Sequence, residues 1–133
     1  MKKANLILRN ATVLTMNDKF QIFSPGAVVI NDDSIFDVGY EIDIATKYEA
    51  DTTYDCGGKI LMPGLINAHA HMPMTLLRGL ADDLRLDVWL MGYMMPVERE
   101  FVSPEFVRLG TKLACAESIR SGVTTFVDMY YFE

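Results

Sequence analysis

A chain of 133 residues, half of them hydrophobic and 23% charged, has the balance of one ordinary globular domain and excludes a disordered polymer. A formal net charge of −6, with no basic run beyond Lys2-Lys3, excludes a nucleic-acid backbone as partner, because phosphate binding needs clustered Lys and Arg. The two cysteines, Cys56 and Cys115, are too few for a disulfide framework or a cysteine-built zinc site and read as reduced, buried thiols.

The apolar patch Leu6-Ile7-Leu8 stops at Arg9, short of the ~7–15 apolar residues of an export signal. Nothing approaches the ~18 consecutive apolar residues of a membrane span. No membrane partner is expected, and the cytoplasm is the expected compartment. Asn5 to Met16, rich in Leu, Ile, Val and Thr, reads as a strand. Turns at Asn17-Asp18 and Pro25-Gly26 precede a second strand, Ala27 to Ile30. Asn31 to Ser34 turns the chain again, and Ile35 to Val38 answers as the paired strand. The pattern is a β-meander whose acids, Asp18, Asp32, Asp33 and Asp37, suit turn and edge positions. Ile42 to Tyr48 suggests a short helix and Thr52 to Cys56 a returning strand. Gly57-Gly58 is a joint, which places a domain boundary near residue 58, between a small β domain (1–58) and a second unit (59–133).

The stretch Met62 to Pro73, MPGLINAHAHMP, holds both histidines of the chain. A brief apolar run after Pro63-Gly64 marks the start of a buried strand at Leu65 and Ile66. Side chains at i and i+2 of a strand share a face, so His69 and His71 project together while Ala70 turns to the opposite side. Two imidazoles at a strand mouth can grip one zinc, iron or nickel ion. On spacing alone a surface or core pair of histidines is the competing reading, and two ligands do not complete a site.

Beyond the histidines, Met72 to Asp87 reads as a long loop with helical pieces. Asp83 is placed to cap a helix through Leu84, Leu86, Val88 and Trp89, and capping and solvation account for Asp82 and Asp83. Ser103-Pro104-Glu105 starts a helix with a hydroxyl cap, a proline in the first turn and an acid near the positive end of the dipole. Phe106, Leu109, Leu113 and Ala116 recur at helical spacing until Gly122 stops the run. Thr124 to Tyr130 is strongly β-prone. Strand, excursion, helix and strand make a βαβ unit, whose two strands lie parallel.

The segment PGLINAHAHMPMTLLRGLADDL resembles the first barrel strand and following loop of the amidohydrolase superfamily. Within it the chain is most similar to the methylthioadenosine/S-adenosylhomocysteine deaminases, relatives of the chlorohydrolase-type enzymes. The likeness runs from VLTM near the start to SGVTTFVDMY at the end and is most specific between Pro63 and Asp83. It implies an α/β fold: the N-terminal portion of a metal-dependent (β/α)₈ barrel, preceded by a small β-sandwich-like domain. Such barrels take ~250 residues, so the chain reads as a truncated N-terminal piece, inactive alone. The catalytic residues are then expected beyond residue 133.

The resemblance further implies that His69 and His71 hold a catalytic divalent metal, Zn²⁺ first, with Fe²⁺, Mn²⁺ or Ni²⁺ as alternatives. It assigns Glu98, in PVERE, to the ribose hydroxyls of a nucleoside, because a carboxylate accepts from two neighbouring donors at once. By pattern alone Glu98 is a solvated acid near a helix, and Glu100 is a decoy for the same match. Trp89 resembles a tryptophan that walls the substrate pocket, with core packing as the alternative. Met91, Met94 and Met95 suggest an adaptable apolar wall or core, and Met95 departs from the aromatic that relatives carry before the proline. Asp128 reads as a structural hydrogen-bond acceptor near the end of the second strand. The implied activity is hydrolytic deamination of an adenine nucleoside of the methylthioadenosine or S-adenosylhomocysteine type. The alternatives are another amidohydrolase acting on a heterocycle (guanine, cytosine or a chlorotriazine) and a catalytically incompetent truncated product. The implied partner is a small-molecule nucleoside, with a homo-oligomer left open at full length.

Overall fold

The computed structural model describes residues 1–132. They form mixed α and β elements in two compact units that divide between Pro63 and Gly64. Among the described residues, no helix is long and apolar enough to cross a membrane.

In the first unit, β1 (Lys2–Leu14), β2 (Ile22–Asn31) and β3 (Ser34–Tyr40) make the antiparallel meander that the turn signals predict. The helix α1 (Glu41–Lys47) follows, and β4 (Tyr48–Asp55) runs parallel to β1, giving the order β3-β2-β1-β4. The run Ala27–Val29 is buried throughout because β2 packs on both faces, as sheets covered on two sides do. Ala27 and Val29 join Ala4, Ile7, Ile44 and Tyr48, whereas Val28 joins Ala11, Val13 and Cys56. Helix α1 carries Glu41 and Asp43 in its first turn and Lys47 in its last, complementing its dipole. Glu41 also accepts from Arg9 Nη1 at 3.1 Å and from the Asn10 amide at 2.9 Å, which ties the helix start to β1.

Two local expectations change. Pro25-Gly26 is not a turn but lies inside β2, where Gly26 pairs with Ala11 and the register shifts on either side. Pairing with β3 begins only at Gly26, so Pro25 occupies a stretch of β2 with one neighbour, and a missing N–H is tolerated there. The Gly57-Gly58 joint is a turn with both glycines at positive φ, +62° and +75°. It leads into β5 (Ile60–Leu61), which pairs with Thr12 and Val13 of β1. That pairing keeps residues 60 and 61 with the first unit, so the compact unit ends five residues beyond Gly58, at Pro63.

In the second unit, β6 (Leu65–Ala70) and β7 (Val123–Asp128) pair in parallel. Between them run a 3₁₀ segment (Met72–Leu77), α2 (Leu86–Val88), a π-helical stretch (Trp89–Met94), α3 (Met95–Phe101) and α4 (Pro104–Arg120). Ser103 caps α4 as its sequence predicts, its Oγ accepting from the Phe106 amide at 3.2 Å. Asp83 does not cap a helix. It sits in the loop at φ 56°, and α2 starts at Leu86 after Arg85 with no side-chain cap. The π-helical stretch runs directly into α3, whose second residue, Pro96, has no N–H to extend the π ladder.

Helix α4 packs by its small residues. Gly110 and Ala114 are buried, while Leu109 and Leu113 remain 55% and 42% exposed. The cause is a close backbone approach: a Cβ at position 110 would stand 2.5 Å from the Pro73 carbonyl oxygen and 2.8 Å from Pro73 Cα. Only a residue without a side chain lets α4 lie directly on the 3₁₀ segment that follows His71. Ala70, Met72 and Ala114 form the core beneath, flanked by Cys115 and Phe126. Arg78, at the end of the 3₁₀ segment, donates to both Glu117 oxygens at 3.1 and 2.6 Å, adding a bidentate surface pair to the same contact.

Gly110→Ala is accordingly expected to lower unfolding stability by about 1–3 kcal/mol through overpacking, read as a shift in the urea midpoint. Gly92→Ala, where nothing lies within 4 Å of the added methyl, is expected to cost far less.

Candidate active site

Parallel pairing brings the C-terminal ends of β6 and β7 side by side, and the histidine pair leaves from that edge. His69 is the fifth residue of β6, and His71 is the first residue past its end, with φ −132° and ψ 70°. Ala70 between them is 8% exposed and turned into the core, which leaves both imidazoles on the other side. Asn67 Oδ1 accepts from the His69 amide at 3.2 Å.

Three hydrogen bonds then join residues 70–72 to residues 128–129. The Met129 amide donates to the Ala70 carbonyl at 3.1 Å, and the Met72 amide donates to Asp128 Oδ1 at 2.9 Å. His71 Nδ1 meets the Met129 carbonyl oxygen at 2.6 Å. A carbonyl only accepts, so Nδ1 carries a proton, and the neutral tautomer compatible with this bond has its lone pair at Nε2. This is how ligating imidazoles are commonly oriented, with the second nitrogen donating to a backbone carbonyl or carboxylate.

His69 Nε2 and His71 Nε2 stand 3.3 Å apart, with the ring planes at 87°. That distance admits an imidazole-to-imidazole hydrogen bond. It also equals the about 3.3–3.4 Å that separates two nitrogens bound at about 2.0–2.1 Å to one tetrahedral zinc. The donor types and their spacing therefore fit a divalent cation. Among the described residues there is no group of three or more His, Cys, Asp or Glu able to hold a metal, so the pair contributes two donors.

Beside His71 opens a cleft of about 390 Å³. Its wall includes Trp89, Met94, Glu98 and Tyr130, which the sequence places far apart. Trp89 and Glu98 are half-buried there, while Glu100 is exposed and takes no part in the wall. Of the three methionines read as a wall or core, Met94 is buried and lines the cleft, whereas Met91 and Met95 are exposed at 64% and 39%. Glu98, on α3, accepts from the Tyr130 hydroxyl at 2.8 Å. Burial raises the Tyr130 phenol above its ordinary value, and donation to Glu98 adds to the rise, so the phenol keeps its proton at neutral pH.

The structure thus gathers His69, His71, Trp89 and Glu98 at one end of the βαβ unit. Asp128 is a structural acceptor, as expected, and its partner is the residue next to His71. Two participants carry no local signal in the sequence. The Met129 carbonyl is backbone and has none to give. Tyr130 could have been found from topology, since parallel strands put the residues after β7 at the same edge as the histidines.

Fold and site together define an α/β protein with paired imidazoles at the C-terminal end of a parallel strand. The chain belongs to the amidohydrolase family, whose profile matches residues 60–133. It is 50% identical over 131 residues to a 5-methylthioadenosine/S-adenosylhomocysteine deaminase of Syntrophobacter fumaroxidans, covering 98% of this chain and 30% of that protein. It is 46% identical over 129 residues to a 5'-deoxyadenosine deaminase of Methanosarcina mazei, covering 97% and 29%. Among solved structures, a zinc-bound adenosine deaminase from Xanthomonas campestris superposes with a TM-score of 0.91 at 39% identity, over 98% of this chain and 30% of that one. A zinc complex of atrazine chlorohydrolase from Arthrobacter aurescens superposes with a TM-score of 0.78 at 25% identity, over 96% and 29%. The chain spans about 30% of the length of the curated relatives it matches.

Asp128→Ala would strand the amide of Met72, a residue only 6% exposed, and is expected to cost about 1–3 kcal/mol in urea unfolding. Asp128→Asn keeps an acceptor oxygen and should retain most of that stability.

Proposed function

We propose that the protein is a metal-dependent hydrolase that removes the exocyclic amino group of an adenine nucleoside, of the methylthioadenosine or S-adenosylhomocysteine type. The reading is supported by relatives at 45–50% identity that carry deaminase names. The structural observation that carries it is the 3.3 Å approach of His69 Nε2 to His71 Nε2, with His71 held in the ligating tautomer. On this reading residues 65–128 are the first two strands of a (β/α)₈ barrel, and the histidines lie on its active face, at the strand ends.

His69 and His71 are the residues that would hold the ion, with zinc the preferred identity because both zinc-bound neighbours share this fold. When bound, such an ion supplies the Lewis acidity that activates water near neutral pH. Overall, water replaces the amino group: a C–O bond forms, the C–N bond breaks and ammonia leaves. The residues of this chain bind and orient. Trp89 and Met94 give the flat heterocycle an apolar wall and keep water from its faces. Glu98 offers carboxylate oxygens to the ribose hydroxyls, in the cleft that His71 also lines.

His69→Ala and His71→Ala should each weaken metal binding by more than the about 10–100-fold that loss of an outer partner causes, measured as metal content after dialysis. Unchanged metal content would overturn the assignment. Glu98→Gln should reduce kcat/KM for adenine nucleosides at least about tenfold more than for free bases, the loss of one charge-assisted hydrogen bond. An equal loss on both would favour a hydrolase of a free heterocycle, such as guanine or a chlorotriazine.

A further inference from the structure

We propose that Tyr130 is a positioning residue for nucleoside recognition: its hydroxyl holds Glu98 Oε1, turning the other carboxylate oxygen toward the cleft shared with His71 and Trp89. The inference rests on the ribose-binding reading of Glu98 and adds to it the group that sets the geometry of that carboxylate.

Glu98 is carried by the seven-residue helix α3, which follows a π-helical stretch and has no buried residue. A glutamate on so lightly packed a helix has three side-chain torsions to fix before it can receive a pair of hydroxyls in one geometry. The 2.8 Å bond from Tyr130 fixes it, because the acceptor is charged and such bonds are short and strong. The donor is itself well held. Tyr130 follows Met129, whose amide and carbonyl are both engaged, with Ala70 and His71. The consecutive residues Met129 and Tyr130, just past β7, therefore each hold one residue of the same cleft: the Met129 backbone fixes His71, and the Tyr130 side chain fixes Glu98. A phenol is protonated throughout the neutral range, and burial and the bond to Glu98 only raise its pKa further.

Tyr130 and Glu98 should consequently act as a unit, which a double-mutant cycle detects. The test uses the metal-loaded protein at its natural length and the variants Tyr130→Phe, Glu98→Ala and their combination. The readout is the ratio of competitive inhibition constants for two probes, the nucleoside inosine and its base hypoxanthine. Tyr130→Phe is expected to shift the ratio against inosine about tenfold, and to shift it no further in the Glu98→Ala background. Tyr130→Met, which removes hydroxyl and ring together, should give the same shift if the hydroxyl is the operative group. Melting curves identify any variant that fails to fold, and either substitution at 130 suffices for the cycle. If Glu98→Ala is selective and the Tyr130 variants weaken both probes alike, or add independently to Glu98→Ala, the positioning role is overturned while the ribose reading stands. If Glu98→Ala is itself unselective, the ribose reading fails and this inference fails with it.

Discussion

The interaction on which the site depends is the bond between the His71 ring and the backbone of the neighbouring strand. At 2.6 Å from the Met129 carbonyl, Nδ1 must carry the proton, and Nε2 is left as a donor atom facing His69. The bond exists only because β6 and β7 run parallel and end together. The Met129 amide on the Ala70 carbonyl and the Met72 amide on Asp128 lock that register on either side of the ring. Imidazole orientation is thus inherited from strand pairing, and no side chain has to be set aside for it.

Register at the strand ends is secured from below by close packing. The 3₁₀ segment after His71 has its backbone against α4, and the approach is possible because position 110 lacks a side chain and position 114 has only a methyl. Larger leucines lie one position round the helix and stay exposed. This close approach holds the turn that leaves His71 half-buried beside the cleft. The core of Ala70, Met72 and Ala114 is accordingly made of residues that are small or adaptable.

In the same cleft, the chain just past β7 reaches Glu98 through Tyr130. His71, Trp89, Met94 and Glu98 line one cleft, and His69 Nε2 stands 3.3 Å from His71 Nε2 beside it. The first unit contributes a different kind of order. Its sheet is filled on both faces, and its charged contacts, such as Arg9 with Glu41 and Asp55, fasten α1 and β4 to β1.

Much of this was legible in the residues themselves. Strand runs, the Asn31–Ser34 turn, the Ser103 cap and the βαβ order are written in local composition, since propensity, capping and turn chemistry act over a few neighbours. Alternation along β6 was enough to put His69 and His71 on one side and Ala70 on the other. Local rules failed at two places. Pro25-Gly26 reads as a turn but lies in a strand because β1 pairs with it, and Asp83 reads as a cap but sits in a loop. The tautomer of His71 and the partnership of Tyr130 with Glu98 were decided only in three dimensions. Each depends on which backbone carbonyl or distant hydroxyl arrives at a given atom, and strand register and helix approach set that over separations of 32 to 58 residues.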